Sequence, residues 1–144
     1  MELLRIWKSE EVDKVWVFVK DYIQNALDDP RSGGYADHFH IKDQIKNNLM
    51  QLWVAWSEKD QKVYAVGVTE LKEYPKYRTM NFRILTGDKM ELWTQFLEPM
   101  EAWAKTQEVT KMEFYARPGW ERFLKNKGYT KTHVQLDKLL GDKK

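Results

Sequence analysis

Apolar side chains recur every three or four residues from Val12 through Val15, Trp16, Val19 and Ile23 to Ala26, which predicts a helix with one buried face. Before it, Leu3 to Trp7 is a branched and aromatic run that reads as a short opening strand. Ser9 with Glu10 and Glu11 then supplies a cap and a first turn suited to the helix dipole. The stretch DDPRSGG ends this helix. A second helix is predicted by Ile41, Ile45 and Leu49, capped by Asp37 and ending near Gln51. The pattern then changes to LWVAW, KVYAVGVTEL and YRTMNFRIL, separated by polar SEKDQ and the YPK corner. These predict three consecutive antiparallel strands between Leu52 and Leu85.

Helical spacing returns at Met90, Trp93, Leu97, Met100 and Ala104, widened by Phe96 and Trp103. Pro99 inside that run predicts a kink or a division, because it deletes a backbone donor and crowds the preceding turn. KMEFYA, from Lys111 to Ala116, predicts a strand that continues the sheet. WERFLKNKG predicts a short helix ending at Gly128, and YTKTHVQLDKLL a last strand. The periodicity places Trp16, Val19, Trp93, Leu97, Trp103 and Phe123 in the core.

Composition narrows what such a chain can be. Hydrophobic residues make up 42% and aromatic ones 14%, beside 32% charged, so the chain carries enough apolar surface to fold as one domain over residues 1–140, with the charged tail 141–144 solvated. With no cysteine there is no disulfide framework, thiolate zinc site or cysteine nucleophile, which fits a reducing, cytoplasmic setting. Charge interrupts every apolar run, and MELLRIWKSEE lacks the pattern of a signal peptide, so neither export nor a membrane span is expected. Lys and Arg number 24 against 22 Asp and Glu, interleaved to a net +2, which leaves no nucleic-acid footprint.

His38 and His40 flank Phe39 beside Asp37, but alternate residues on a helix do not face the same way and the only other histidine is His133. No metal is expected; a surface pair of histidines is. The SGGYADHF segment reads either as a mobile substrate-gating or partner-binding loop or as a plain connector between helices. Arg117-Pro118-Gly119-Trp120 reads as a compact turn into a helix, with Trp120 as a packing anchor.

Two segments, FLEPMEAWAKTQEVTKMEFYA and ERFLKNKGY, resemble the GNAT acetyltransferases: a helix ending in Trp-Ala that leads through a polar turn into a strand, and a helix closing on Gly-Tyr. SGGYADHF, QLWVAW, VGVTELKEYP, ARPGWERFL and KTHVQL are similar to GNAT-like proteins of tailed bacteriophages, and together cover most of the chain from Ser32 to Leu136. The resemblance implies an α/β (α+β) fold with a mixed, mainly antiparallel central sheet and helices on both faces. It also implies acetyl-CoA as cofactor and a small-molecule or protein amine as acceptor. The backbone of Arg83, Ile84 and Leu85 would pair with the pantetheine arm, and Gly87, Asp88 and Lys89 would face the pyrophosphate at a helix N-terminus.

Within that family the loop reads Q/R-x-x-G-x-G/A. Here it falls on Gly87 to Leu92, with its single glycine in the Arg or Gln position, Met90 and Leu92 in the small-residue positions where they would crowd a phosphate, and negative charge from Asp88 and Glu91. An ordinary strand-to-helix turn capped by Asp88 is the alternative. The tyrosine that protonates the departing thiolate in many members falls on Leu124, leaving Tyr115 and Tyr129 as substitutes. Glu70 and Glu73, at the end of the middle strand, are the candidate general bases. Two functions stay open: an N-acetyltransferase, or a catalytically degenerate GNAT-like phage protein that binds a phage or host protein as a virion or assembly module, in the infected bacterial host or in the particle. A homo-oligomer is compatible with both.

Overall fold

The computed structural model describes residues 1–29, 36–88, 91–115, 118–136 and 138–141. In chain order the elements are β1 (Glu2–Ile6), α1 (Ser9–Asp28), α2 (His38–Lys46), β2 (Gln51–Ser57), β3 (Lys62–Glu73), β4 (Arg78–Gly87), α3 (Leu92–Thr106), β5 (Lys111–Phe114) and α4 (Pro118–Lys125). The five strands form one sheet in the order β1-β2-β3-β4-β5. Neighbours from β1 to β4 are antiparallel, and β5 returns through α3 to lie parallel to β4. The mixed, mainly antiparallel sheet is thus the one expected.

Alternation along each strand sends side chains to two separate cores. On one face Val54, Val66, Val68 and Ile84 meet Val12, Trp16, Val19 and Ile23 of α1 and Ile41 and Ile45 of α2. On the other, Trp53, Ala65, Met80, Phe82 and Leu85 meet Trp93, Leu97 and Met100 of α3 and Trp120 and Leu124 of α4. Gly67 is needed on this second face: a Cβ there would lie 2.9 Å from the Trp93 ring. Trp16, Val19, Trp93 and Leu97 are buried as the periodicity requires, whereas Trp103 and Phe123 are only half-buried at the rim.

Local chemistry accounts for most element ends. The Asp37 carboxylate accepts from the backbone N–H of His40 at 3.0 Å, the expected cap of α2. At α1 the capping position is Lys8 rather than Ser9, with no side-chain cap bond. The second helix also ends earlier than Leu49: Asn48 takes a positive φ of 61° that turns the chain into β2, and Leu49 is left exposed. Pro99 does not divide α3, which runs unbroken with the proline on its exposed side.

The last predicted strand is not formed. Residues 130–136 and 138–140 are exposed and belong to no strand, because nothing among the described residues pairs with them. Among the described residues no helix is long and apolar enough to cross a membrane, and no cluster of His, Cys, Asp and Glu could hold a metal ion.

Candidate active site

The sheet opens at one place. Phe82 pairs with Phe114 in the last rung of the parallel β4–β5 ladder, and the two rings stack with centroids 4.0 Å apart. Opposite that rung the β3–β4 register shifts: Val68 faces Ile84 but Thr69 faces Phe82, so Arg83 is an extra, bulged residue on β4. A bulge bends its strand, and here it coincides with the point where β5 departs. From Ile84 to Gly87, β4 has a ladder partner only in β3 among the described residues, and no rung joins this stretch or Arg83 to β5. Arg83, Ile84 and Leu85 therefore lie in the fork between β4 and β5.

Polar side chains gather beside this fork on the face that carries α1 and α2. Glu70 stands opposite Asn81 on β4, and Asn81 Nδ2 donates to Glu70 Oε1 at 3.2 Å. Lys72 Nζ lies 3.4 Å and Arg83 3.9 Å from the same oxygen. Lys72 also sits 5.6 Å from the centre of the Tyr115 ring, just past the end of β5, so one lysine links Glu70 to Tyr115. Burial, the largest single influence on Lys72, pulls its pKa down, but the Glu70 carboxylate with the Tyr115 and Tyr74 phenols outweighs it and the net shift is upward. Asn81 is 1% exposed, and its Oδ1 has no hydrogen-bond partner among the described residues. Left without water or ligand, such an acceptor would cost about 1–3 kcal/mol; Trp93 Nε1, in the α3-side core, is likewise unpartnered among the described residues.

The other candidates are placed elsewhere. Glu73 sits three residues further along β3, at the hairpin end, where Arg78 Nη1 pairs with it at 2.6 Å. Tyr129 donates to Glu101 at 2.7 Å, and burial first, then this bond, drives its pKa far up, so its proton is held. Leu124 is buried in the α3-side core, and Leu92 packs on the same core rather than standing over the loop. His38 accepts from Trp16 Nε1 at 3.4 Å and stacks on Phe39, while the His40 side chain is exposed.

Asp88 is not the cap of α3. That position is held by Glu91, whose side chain makes no capping bond. Asp88 turns the other way: Tyr22 of α1 donates to it at 2.8 Å and Lys62 lies 3.5 Å from it, so its charge is compensated. Sequence reasoning missed Tyr22, Lys72 and Asn81, whose partners are 66, 2 and 11 positions away along the chain. Lys89 and Met90 lie outside the described residues, as do residues 32–35 of SGGYADHF, Ala116, Arg117 and the tail beyond Gly141.

Burial, followed by the bond to Asp88, raises the Tyr22 pKa from 10.0 to about 12. A raised folded-state value means that the stabilisation is fully present below pH 10 and is lost as the pH climbs towards 12. In a phenolate absorbance titration, Tyr22→Phe is therefore expected to remove a transition near pH 12. An unchanged curve in that range would disprove the contact.

No family model matches the chain, and no curated protein is detectably similar in sequence. Solved structures do match. A predicted acetyltransferase from Clostridium acetobutylicum, determined with acetyl-CoA, superposes with a TM-score of 0.69 at 14% identity, over 96% of each chain. Glucosamine-6-phosphate N-acetyltransferase from Arabidopsis thaliana gives 0.66 at 12% identity, covering 98% of this chain and all of that one. Ribosomal-protein-alanine N-acetyltransferase from Brucella melitensis biovar Abortus 2308 gives 0.66 at 8%, over 96% and 99%. The chain has the fold of these acetyltransferases.

Proposed function

We propose that this protein is an N-acetyltransferase that moves an acetyl group from acetyl-CoA to an amine. The observation that supports it best is the coincidence of the Arg83 bulge with the end of the β4–β5 ladder, directly beside Glu70. An unpaired strand edge suits a ligand that carries amide groups, and the backbone from Arg83 to Leu85 would hold the pantetheine arm. Gly87 to Lys89, leading to the N-terminus of α3, would face the pyrophosphate, where backbone N–H groups favour an anion. Compensation of Asp88 by Tyr22 and Lys62 lessens the repulsion that its charge would otherwise exert there. Bound acetyl-CoA supplies an activated acetyl thioester.

Glu70 accepts the proton of the attacking amine. Lys72 and Arg83 add positive charge that disfavours a charged ammonium, so the acceptor reacts as the neutral amine. Tyr115, exposed at the end of β5, is the group that offers a proton to the departing thiolate. In this account the N–C bond forms as the C–S bond breaks, with one proton passing to Glu70 and one leaving Tyr115. Glu73 and Tyr129 take no part, since each is engaged elsewhere. The acceptor is a small-molecule or protein amine, and the setting is the cytoplasm. The similarity of SGGYADHF, QLWVAW and VGVTELKEYP to phage GNAT-like proteins supports an infected bacterium as that setting.

Calorimetric titration with acetyl-CoA tests this reading, with a single site of Kd between about 1 μM and 1 mM expected. Absence of heat at millimolar acetyl-CoA, with folded protein, would reject it in favour of a binding module for a phage or host protein.

A further inference from the structure

At the edge of the sheet away from the fork, where β1 meets α3, lies a cavity of about 570 Å³, a size usual for small-molecule sites. Its walls include Leu3, Trp53, Phe96, Pro99 and Trp103, and the one basic residue that lines it is Arg5. The β1–β2 ladder sets Arg5 opposite Trp53, whose ring meets Trp103 edge-on with centroids 5.4 Å apart. Trp53 Nε1 is already engaged by Thr69 Oγ1 at 2.9 Å, so its ring offers the cavity only apolar surface. The Arg5 guanidinium lies 4.9 Å from the centre of the Trp103 ring and 5.9 Å from that of Trp7. Apart from these ring contacts it makes no hydrogen bond or ion pair among the described residues. Burial pulls its pKa below the ordinary arginine value, and no carboxylate opposes the shift. Glu2, the other charged residue lining the cavity, is exposed and not paired with it.

We propose that this cavity binds a small molecule in which a carboxylate is joined to an aromatic ring, the carboxylate meeting the free N–H edge of Arg5 and the ring packing against Trp53, Phe96 and Trp103. The guanidinium selects the charge. Its faces are turned to indole rings, and a planar fork of N–H donors without a partner matches a carboxylate in two parallel hydrogen bonds. A partly desolvated cation also gains more from a counter-charge than one in open water. The walls select the ring, since an aromatic group finds edge and face contacts there that a bare inorganic anion cannot use. The site is separate from acetyl transfer: it adjoins β1, at one edge of the sheet, whereas the fork lies between β4 and β5 at the other.

The probe is 3-phenylpropionate, titrated into nitrogen-15-labelled protein while the indole N–H resonances are followed; the Trp103 signal is identified by its loss in Trp103→Phe. A saturable shift of the Trp103 signal is expected. On the unaltered protein, 3-phenylpropanamide, which lacks the charge, and acetate, which lacks the ring, should each bind at least about tenfold more weakly. Arg5→Met, which keeps an unbranched apolar stem, should weaken 3-phenylpropionate by a similar factor, with folding checked by circular dichroism. Acetyl-CoA should leave the shift in place. No saturable shift at about 10 mM 3-phenylpropionate would overturn the proposal. So would equal affinity for the amide or for acetate, unchanged affinity in folded Arg5→Met, or displacement by acetyl-CoA, which would put the probe in the fork. Trp103 shifts that follow protein concentration without any probe would give the cavity to a second copy of the chain, and would overturn it as well.

Discussion

Glu70→Gln is expected to lower the rate of amine acetylation by roughly 100- to 10,000-fold, the usual contribution of a general base, while leaving acetyl-CoA affinity unchanged. The substitution keeps the size of the side chain and an oxygen that can accept from Asn81 Nδ2, so the rung between β3 and β4 is preserved. What it removes is the carboxylate proposed to take the substrate proton. With the donor held, as proposed, by the backbone of the fork rather than by this side chain, the loss should fall on turnover rather than on donor binding. Glu73→Gln serves as the contrast: it breaks an exposed ion pair with Arg78 at the hairpin and should alter the rate little. Steady-state kinetics with calorimetry of acetyl-CoA binding decide the matter. A Glu70→Gln protein with full turnover, or an equal loss in Glu73→Gln, would remove Glu70 from the mechanism.

Gly87→Ala is expected to destabilise the fold by about 3 kcal/mol or more, which for a domain of this size lowers Tm by roughly 10 °C. Two independent faults add. Gly87 has φ of +148°, a conformation that residues with a Cβ rarely adopt. A Cβ placed there would also lie 2.5 Å from Ala65 Cα and closer still to the Tyr64 carbonyl oxygen. Both atoms are backbone of β3, so relief requires the strands to move apart at the mouth of the fork. Gly119→Ala makes the comparison: a Cβ there meets nothing within 4 Å, and in α4 alanine is favoured over glycine by up to about 1 kcal/mol. Thermal unfolding followed by circular dichroism should separate the two, and similar midpoints would show that β3 does not crowd Gly87.

The amino-acid sequence by itself determined the elements whose side chains repeat: the apolar face of α1, the three strands from β2 to β4, α3 with Trp93 and Leu97, and the Asp37 cap. Periodicity is a property of neighbours in the chain, and it says which side chains share a face. The GNAT resemblance singled out Arg83 to Leu85, and these residues lie at the β4–β5 fork. Only the tertiary structure decided the rest. Glu70 and Glu73 are indistinguishable as glutamates near a strand end, yet pairing with β4 sets one against Asn81 and Arg83 and the other against Arg78 at a turn. Gly87 reads as a relic of a phosphate motif, whereas its position is dictated by the backbone of Tyr64 and Ala65 on the adjacent strand. Asp88 reads as a helix cap, and a tyrosine 66 residues away turns it towards α1. The alternation in Thr132, Val134 and Leu136 specifies a strand but carries no information about its partner, and none is supplied among the described residues. Register, bulges and strand partners are contacts between distant segments, set by which edges meet, so no window of sequence contains them.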